Sequence, residues 1–349
     1  TKTLKNTTTF NANFFDNKLR LTSDFSFRTK DFIEDKKNTA IPYSEYEGVI
    51  TYLGTPETDD KMSEKVQQTS YISTNAYAEF ENIFGGKHYI KLLGGYNYEQ
   101  QDYRATKSER NGLLMPDVED INFAMGETMS ITSDASRWRY AGAFFRLNYS
   151  YDNRYLFEVN GRYDGSSKFP NNSQWGFFPS ASAAWRLSEE RFWKVDPKFL
   201  SNVKLRMSYG ALGNSNVNPY SYLEKFSLST FSTTGTSTDG RYLDGSAKLR
   251  YTKNPSQIPD NIGWETSKTV DVGIDLGFLH NKITLSADYY VRKTIDMYTV
   301  GPTLPDTFGA SSPKGNYADM STYGYEISLG YNDSFKLADR PLSFGVKVT

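Results

Sequence analysis

The chain of 349 residues contains no cysteine, which excludes disulfides, thiolate catalysis and cysteine-ligated metal sites. It has only two histidines, His88 and His280, and both lie at or next to predicted turns. Two histidines at turns do not readily supply a histidine-based catalytic triad or zinc site. We interpret both as exposed polar side chains. We predict no catalytic residue, no metal and no cofactor, and we do not expect an enzyme.

Long hydrophobic runs are also missing. No stretch approaches the roughly 18 consecutive apolar residues of a spanning helix, and the mean hydropathy is -0.62. These absences exclude a helical membrane protein but not a β-barrel, whose alternating strands average to polar. Lys and Arg number 40 against 41 Asp and Glu and are dispersed, so the chain has no basic footprint for nucleic acid.

What the chain does contain is a series of segments that alternate apolar and polar side chains. Along residues 154–165 one side carries Tyr155, Phe157, Val159, Gly161 and Tyr163, and the other Glu158, Asn160, Arg162 and Asp164. Since successive strand side chains point to opposite faces, each segment has one apolar and one polar face. A soluble sheet would bury the apolar face, whereas a membrane barrel turns it toward lipid.

About twelve such segments occur, and they form pairs. The predicted pairs are 7–16 with 18–29, 70–84 with 88–102, 138–151 with 154–166, 175–188 with 203–211, 269–279 with 282–294, and 320–331 with 342–348. Four pairs are joined by tight-turn sequences rich in Asn, Asp and Gly, at Asp16-Asn17, Gly85-Gly86-Lys87, Asp152-Asn153 and His280-Asn281. Residues 188–193 predict a short helix capped by Ser188, and residues 333–340 a link in the last pair.

Short turns fall at one end of the segments and long links at the other. The long links are residues 30–69, 103–137, 167–174, 212–262 and 295–319. A hairpin meander with this polarity is typical of outer-membrane barrels, whereas Greek-key crossings usually interrupt it in soluble sandwiches. We therefore predict an all-β fold, an antiparallel up-and-down transmembrane β-barrel. A soluble all-β binding or adhesion domain is the alternative.

Charged residues near strand midpoints lie on one face, which predicts a wet lumen or a surface against a plug. The lumen-facing or plug-facing candidates are Glu158, Arg162, Asp164, Asp271, Asp288 and Arg292. In the long loops, Tyr220, Tyr222, Tyr242 and Tyr251 are candidate contacts for a ligand or partner, unless those loops pack on themselves. Aromatics near segment ends, Trp138 and Tyr140 among them, predict belts at headgroup level, or simply reflect strand propensity.

Several long stretches carry a family resemblance. They are Gly-Arg-Tyr-Asp-Gly-Ser-Ser-Lys-Phe-Pro at 161–170, Trp-Gly-Phe-Phe-Pro-Ser at 175–180, Ala-Trp-Arg-Leu-Ser-Glu-Glu at 184–190, and further segments at 200–214, 264–290, 308–318 and 324–326. From about Trp138 onward the chain resembles the SusC/RagA family of TonB-dependent outer-membrane transporters.

This resemblance implies a 22-stranded barrel filled by an N-terminal plug, paired with a SusD-like surface lipoprotein and energised by TonB, for a glycan or peptide substrate. We expect residues 1–349 to be a portion of such a barrel in the bilayer of a Gram-negative outer membrane, with about twelve strands and without the plug or TonB box. A siderophore or vitamin receptor and an outer-membrane protease or lipase are alternative functions.

Overall fold

The computed structural model describes residues 1–54, 59–115, 118, 120–127, 129–230, 250–253, 257–259, 261–305, 307, 312–337 and 340–349. Its strands are β1 (Lys2–Phe14), β2 (Leu19–Asn38), β3 (Ile41–Tyr46), β4 (Val49–Leu53), β5 (Lys61–Phe84), β6 (His88–Asn111), β7 (Met129–Tyr151), β8 (Tyr155–Ser166), β9 (Trp175–Arg186), β10 (Leu200–Asn214), β11 (Ser227–Thr230), β12 (Arg250–Lys253), β13 (Glu265–Phe278), β14 (Ile283–Val300), β15 (Lys314–Leu337) and β16 (Arg340–Val348). Two short 3₁₀ turns, Ile121–Phe123 and Leu187–Glu189, are the helical elements of the described residues.

Twelve of these strands form one sheet whose spatial order follows the chain order, from β1 and β2 through β5–β10 to β13–β16. The predicted twelve-stranded, up-and-down meander is therefore confirmed. Among the described residues β1 and β16 have a sheet neighbour on one side only, so the twelve strands form an open sheet. The small hairpins β3–β4 and β11–β12 lie within two of the long links and were not predicted.

The chain divides into two compact units. One comprises residues 1–79 and 95–142, and the other residues 80–94 and 143–349. The second unit holds most of the segments with family resemblance, and the candidate site below belongs to it.

Backbone conformation explains the tight turns. Asp16 and Asn17, Gly85 and Gly86, Asp152 and Asn153, and His280 and Asn281 all have φ between +49° and +70°. Asn, Asp and Gly adopt this left-handed region at low cost, which is why these dipeptides reverse the chain where alternation stops. All four predicted turns are confirmed.

Two local predictions were wrong. The segment after β9 forms a 3₁₀ turn whose N-cap is Arg186 and which has no side-chain cap, so Ser188 lies inside the turn and caps nothing. Residues 333–337 continue β15 and pair with β16, which leaves a shorter link than predicted. Ten of the twelve sheet strands are longer than predicted, whereas β8 and β9 are slightly shorter. β5, β6 and β15 have 24 residues each, roughly 80 Å of extended chain.

Register aligns the apolar residues of neighbouring strands into rows. One row reads Phe157, Ala183, Met207, Val272, Tyr289 and Tyr325, and the next Val159, Ala181, Tyr209, Val270, Val291 and Tyr323. These are exposed surfaces, with Met207 at 57% and Tyr325 at 79% of full exposure. The apolar face is therefore not a buried core. No helix in the described part of the chain has the length and apolarity to span a membrane.

A cluster around Glu190 closes the short-turn end between β8 and β9. The Glu190 carboxylate accepts hydrogen bonds from the Tyr155 hydroxyl, from Trp185 Nε1 at 3.1 Å and from Arg154 Nη1 at 3.1 Å. The Tyr155 and Trp185 rings stack with centroids 6.3 Å apart. The hydrogen bonds from Tyr155 and Trp185, together with Arg154, hold the pKa of Glu190 below its usual value.

A depressed carboxyl pKa makes this cluster sensitive to acid. Because folding favours ionised Glu190, its stabilising contribution is present above the ordinary glutamate pKa of 4.5 and is lost as pH falls through the lower folded value. We expect Glu190→Gln to lower the melting temperature at neutral pH and to weaken the acid dependence, as measured by circular dichroism in detergent. Glu189→Gln, an exposed neighbour, is the matched control, and equal effects of the two substitutions would contradict the role of the cluster.

Candidate functional site

The polar face of β8–β15 is continuous across the second unit. Along one row of the register stand Glu158, Ser182, Ser208, Asp271, Tyr290 and Gly324. Each of these residues is next in sequence to a member of the apolar rows, so it points to the opposite face of the sheet. All six predicted lumen-facing residues take part in hydrogen bonds, ion pairs or a cavity on this face, as described below.

Arg206 on β10 is the centre of the largest charged cluster on this face. Its Nε and Nη2 donate to the two carboxylate oxygens of Asp275 at 2.8 and 2.9 Å. Nη2 also lies 2.9 Å from Asp288 Oδ1 and 3.1 Å from Ser286 Oγ. The guanidinium thus ties β10 to β13 and β14 through planar, bidentate geometry that lysine would not reproduce.

Gly273 makes this arrangement possible. It is the register partner of both Arg206 and Asp288, so it lies between the two charged side chains. A Cβ at Gly273 would overlap Asp288 Oδ1 and lie 2.9 Å from Arg206 Nη2. The missing side chain therefore lets the ion pair cross over β13, a use of strand glycine as a site of close approach.

A second polar cluster surrounds Glu158. Its carboxylate accepts from Asn148 Nδ2 at 2.9 Å and from Asn160 Nδ2 at 2.7 Å. Asn160 in turn accepts from Arg146 Nε at 2.6 Å. These contacts join β7, β8 and β9, since Asn160 also donates to Ser180 on β9.

Arg162 and Asp164 form a third, local pair on β8. Arg162 Nε and Nη2 donate to Asp164 at 3.1 and 2.9 Å, and the guanidinium lies 5.3 Å from the centroid of the Phe144 ring. Asp164 is buried, at 4% exposure. This burial gives the pair a structural role at the long-loop end of the strand.

Asp271 differs from the ion-paired acids Asp275 and Asp288 of the polar face. It lines a cavity of about 330 Å³ together with Glu158, Ser182, Arg206 and Ser208. In the described part of the chain its carboxylate has no hydrogen bond or ion pair. Arg292, two register steps away, donates to Thr269 at 3.4 Å and lies over the Tyr290 ring at 5.9 Å, and is otherwise exposed. Both residues are therefore available to a ligand or a facing surface.

Sequence reasoning missed Arg206, and it placed Asp275 on the polar face without including it among the lumen-facing candidates. A signal existed for both, since Arg206 alternates with Leu205 and Met207, and Asp275 with Ile274 and Leu276. Sequence reasoning also missed Lys204, which alternates with apolar residues in the same way. It lies with Arg186, Asp275 and Lys347 around a second cavity of about 470 Å³ nearer the short-turn end.

The long loops meet in a small apolar cluster. Phe169, Val217 and Ile262 are buried, and Tyr222, Trp264 and Tyr298 pack against them. Trp264 Nε1 donates to the Gln174 carbonyl at 2.9 Å, and Ser173 Oγ donates to the Ile262 carbonyl at 2.6 Å. Parts of the links after β8 and after β10 are therefore held together with the end of β14 at this end of the sheet.

The four loop tyrosines have different surroundings. Tyr222 packs against the apolar cluster, which supports the alternative that these loops pack on themselves. Tyr220 has φ of +64° and Lys225 Nζ lies 5.8 Å from its ring centroid. Tyr251 belongs to the small hairpin strand β12, and Tyr242 lies outside the described residues. A ligand role for these tyrosines stays a prediction.

Trp138 and Tyr140, predicted to belong to a headgroup belt, lie on the polar side of β7. Both share their side of β7 with Arg146 and Asn148 of the polar face, because all four positions are even-numbered in one strand. The Trp138 ring contacts Tyr71, with centroids 6.4 Å apart. Placing Trp138 and Tyr140 among the lipid-facing aromatics was wrong, since strand ends alone do not determine the face.

Comparison with known proteins places this geometry in a family. The model described as "TonB dependent receptor-like, beta-barrel" matches residues 1–348. The chain belongs to this family of Gram-negative outer-membrane receptors and transporters, as its residue pattern indicated.

Two relatives show the same affiliation. TonB-dependent receptor P3 of Formosa agariphila is 34% identical over 262 residues, which is 75% of this chain and 25% of the relative. TonB-dependent receptor SusC of Bacteroides thetaiotaomicron is 32% identical over 267 residues, or 76% of this chain and 25% of the relative. The chain thus spans about a quarter of the length of these relatives, and the SusC-like resemblance is confirmed.

Solved structures share the fold. The RagAB peptide transporter aligns with a TM-score of 0.77 at 20% identity, over 99% of this chain and 35% of that one. The siderophore receptor PirA from Acinetobacter baumannii aligns with a TM-score of 0.53 at 15% identity, over 94% of this chain and 42% of that one. At these identities the similarity establishes the barrel architecture alone.

Gly273→Ala tests the polar network. We expect the added methyl to separate Arg206 from Asp288 and to cost roughly 1–2 kcal/mol, between the values of exposed and buried ion pairs. Chemical unfolding in detergent measures this loss.

The control is Gly210→Ala on the same face, where the nearest atom to an added Cβ is 3.6 Å away. A Gly273→Ala protein as stable as the control would show that the crossing of Arg206 and Asp288 contributes nothing.

Proposed function

We propose that this chain forms part of the wall of an outer-membrane importer, with its apolar face against lipid and its polar face toward the barrel interior. The observation that carries the proposal is the separation of faces. Two complete rows of apolar side chains are exposed on one side, and the ion-paired residues lie on the other. A monomeric soluble protein rarely exposes a continuous apolar patch of this extent, whereas a barrel in lipid requires one.

The importer takes up oligosaccharides or oligopeptides through a plugged barrel, energised by TonB and assisted by a SusD-like surface lipoprotein. Support comes from the relative named SusC and from the fold shared with the RagAB peptide transporter. The passage is gated and involves no covalent chemistry. A siderophore or vitamin receptor is the second candidate, supported by the weaker fold similarity to PirA.

Within the barrel, we assign two roles to the polar face. Arg206, Asp275 and Asp288 hold the wall together, because each of them is already engaged in an ion pair. Asp271 and Arg292 are available for the plug or the passing substrate, because Asp271 opens onto a cavity and Arg292 has only a weak contact. Charged groups on a path through a membrane protein commonly mark the route of the transported molecule.

An uptake assay tests the function. Cells that carry the full-length protein should accumulate labelled oligosaccharide or oligopeptide only when TonB is present, and affinity capture should recover a surface lipoprotein. Accumulation of a ferric siderophore with no captured lipoprotein would favour the second candidate. A protein that stays monodisperse without detergent would contradict both.

The Asp271→Asn substitution tests the role of a single residue in the same uptake assay. A contact worth about 1 kcal/mol changes a rate about fivefold, so we expect uptake to fall several-fold while thermal stability is unchanged. Asp16→Asn, in an exposed turn, is the control. Unchanged uptake with Asp271→Asn would remove this residue from the transport path.

A further inference from the structure

One pair of basic residues on the apolar side of the sheet has no role in the polar network. Lys268 on β13 and Lys293 on β14 are direct register partners. Lys268 shares its side of β13 with Val270 and Val272, and Lys293 shares its side of β14 with Val291 and Tyr289, by strand alternation. Both lysines are exposed.

The position of this pair relative to the apolar rows is specific. Along β13 and β14 the apolar residues continue from the short-turn end to Val270 and Val291, and the next outward positions are the two lysines. Their neighbours in the same row are Ala211 and Ser321. The pair therefore lies one step beyond the row that ends in Tyr323, which is 76% exposed.

Two ammonium groups directly opposite on an antiparallel pair repel one another and destabilise the strands. Within the described residues neither lysine has an ion pair or hydrogen bond. On that side of β15, Asp319 lies two residues beyond Ser321 and accepts a hydrogen bond from the Asp296 backbone N–H at 3.1 Å. Among the residues that the structure describes, the repulsion of the two lysines is thus not offset.

We propose that Lys268 and Lys293 together bind a phosphate group of a lipid headgroup in the leaflet on the long-loop side of the membrane. A phosphate between the two ammonium groups would replace their repulsion with two charge-assisted contacts. Its acyl chains would then lie along the exposed rows of Val270, Val291 and Tyr323, so one lipid satisfies the charged pair and the apolar face together. The proposal rests on the membrane orientation given under the proposed function.

Native mass spectrometry of the full-length protein in micelles tests the site. The probes are bis-phosphorylated lipid A and the same lipid with both phosphates removed. We expect the phosphorylated form to be retained preferentially and the Lys268→Gln/Lys293→Gln protein to bind it roughly 30-fold more weakly, at about fivefold for each lysine near a lipid surface. Lys268→Arg/Lys293→Arg should retain binding, which guards against a folding defect.

The matched control is Lys204→Gln/Lys347→Gln, which removes the same charge from residues that line a cavity on the polar face. Equal loss in the control, or equal binding of both lipid forms by the unmodified protein, would overturn the lysine site while leaving the importer intact. Failure of the unmodified protein to insert into bilayers would instead overturn the proposed function, and the lysine site with it.

Discussion

The two-residue period of the β-strand is the constraint on which the rest of this structure depends. Because side chains alternate, a polar cluster and an apolar row can use the same strands without mixing. The register then matters across strands as well as along them. Val272, for example, meets Met207 on one side and Tyr289 on the other, while its neighbour Gly273 meets Arg206 and Asp288. A slip of one residue would exchange the two faces over the whole strand.

The charged network gives the register a second source of specificity. A slip of two residues preserves the faces, so alternation alone does not oppose it. Arg206 does oppose it, because a two-residue slip of β13 would replace the glycine between this guanidinium and Asp288 with Asp271 or Asp275. The bidentate contact with Asp275 adds a geometric requirement that few alternative pairings meet. The ion pairs of the polar face therefore also help to fix which residues of neighbouring strands are register partners.

The alternation in the sequence was sufficient to predict the meander, the four tight turns and the faces of Phe157 and Val159. Alternation could not predict the contacts of Arg206, because they depend on a register between strands separated by the long link 215–264. It also could not predict the strand lengths. Alternation weakens where both sides of a strand are polar, as along the outer half of β6, so its end was not visible. The prediction for Trp138 failed for a different reason. Its position near a strand end was given more weight than its even-numbered position in β7, which places it on the polar face.

The central claim is that lipid touches one side of these strands and water or protein the other. These 349 residues contain no cysteine, so single cysteines on β13 report this directly once any cysteine elsewhere in the full-length protein has been replaced. In proteoliposomes of the full-length protein, a fluorophore at Val270, Val272, Ile274 or Leu276 should be quenched by a lipid-dissolved quencher and shielded from a water-soluble one. Labels at Thr269 and Asp271 should show the reverse. A quenching pattern without this two-residue period, or with the two sides exchanged, would contradict the account.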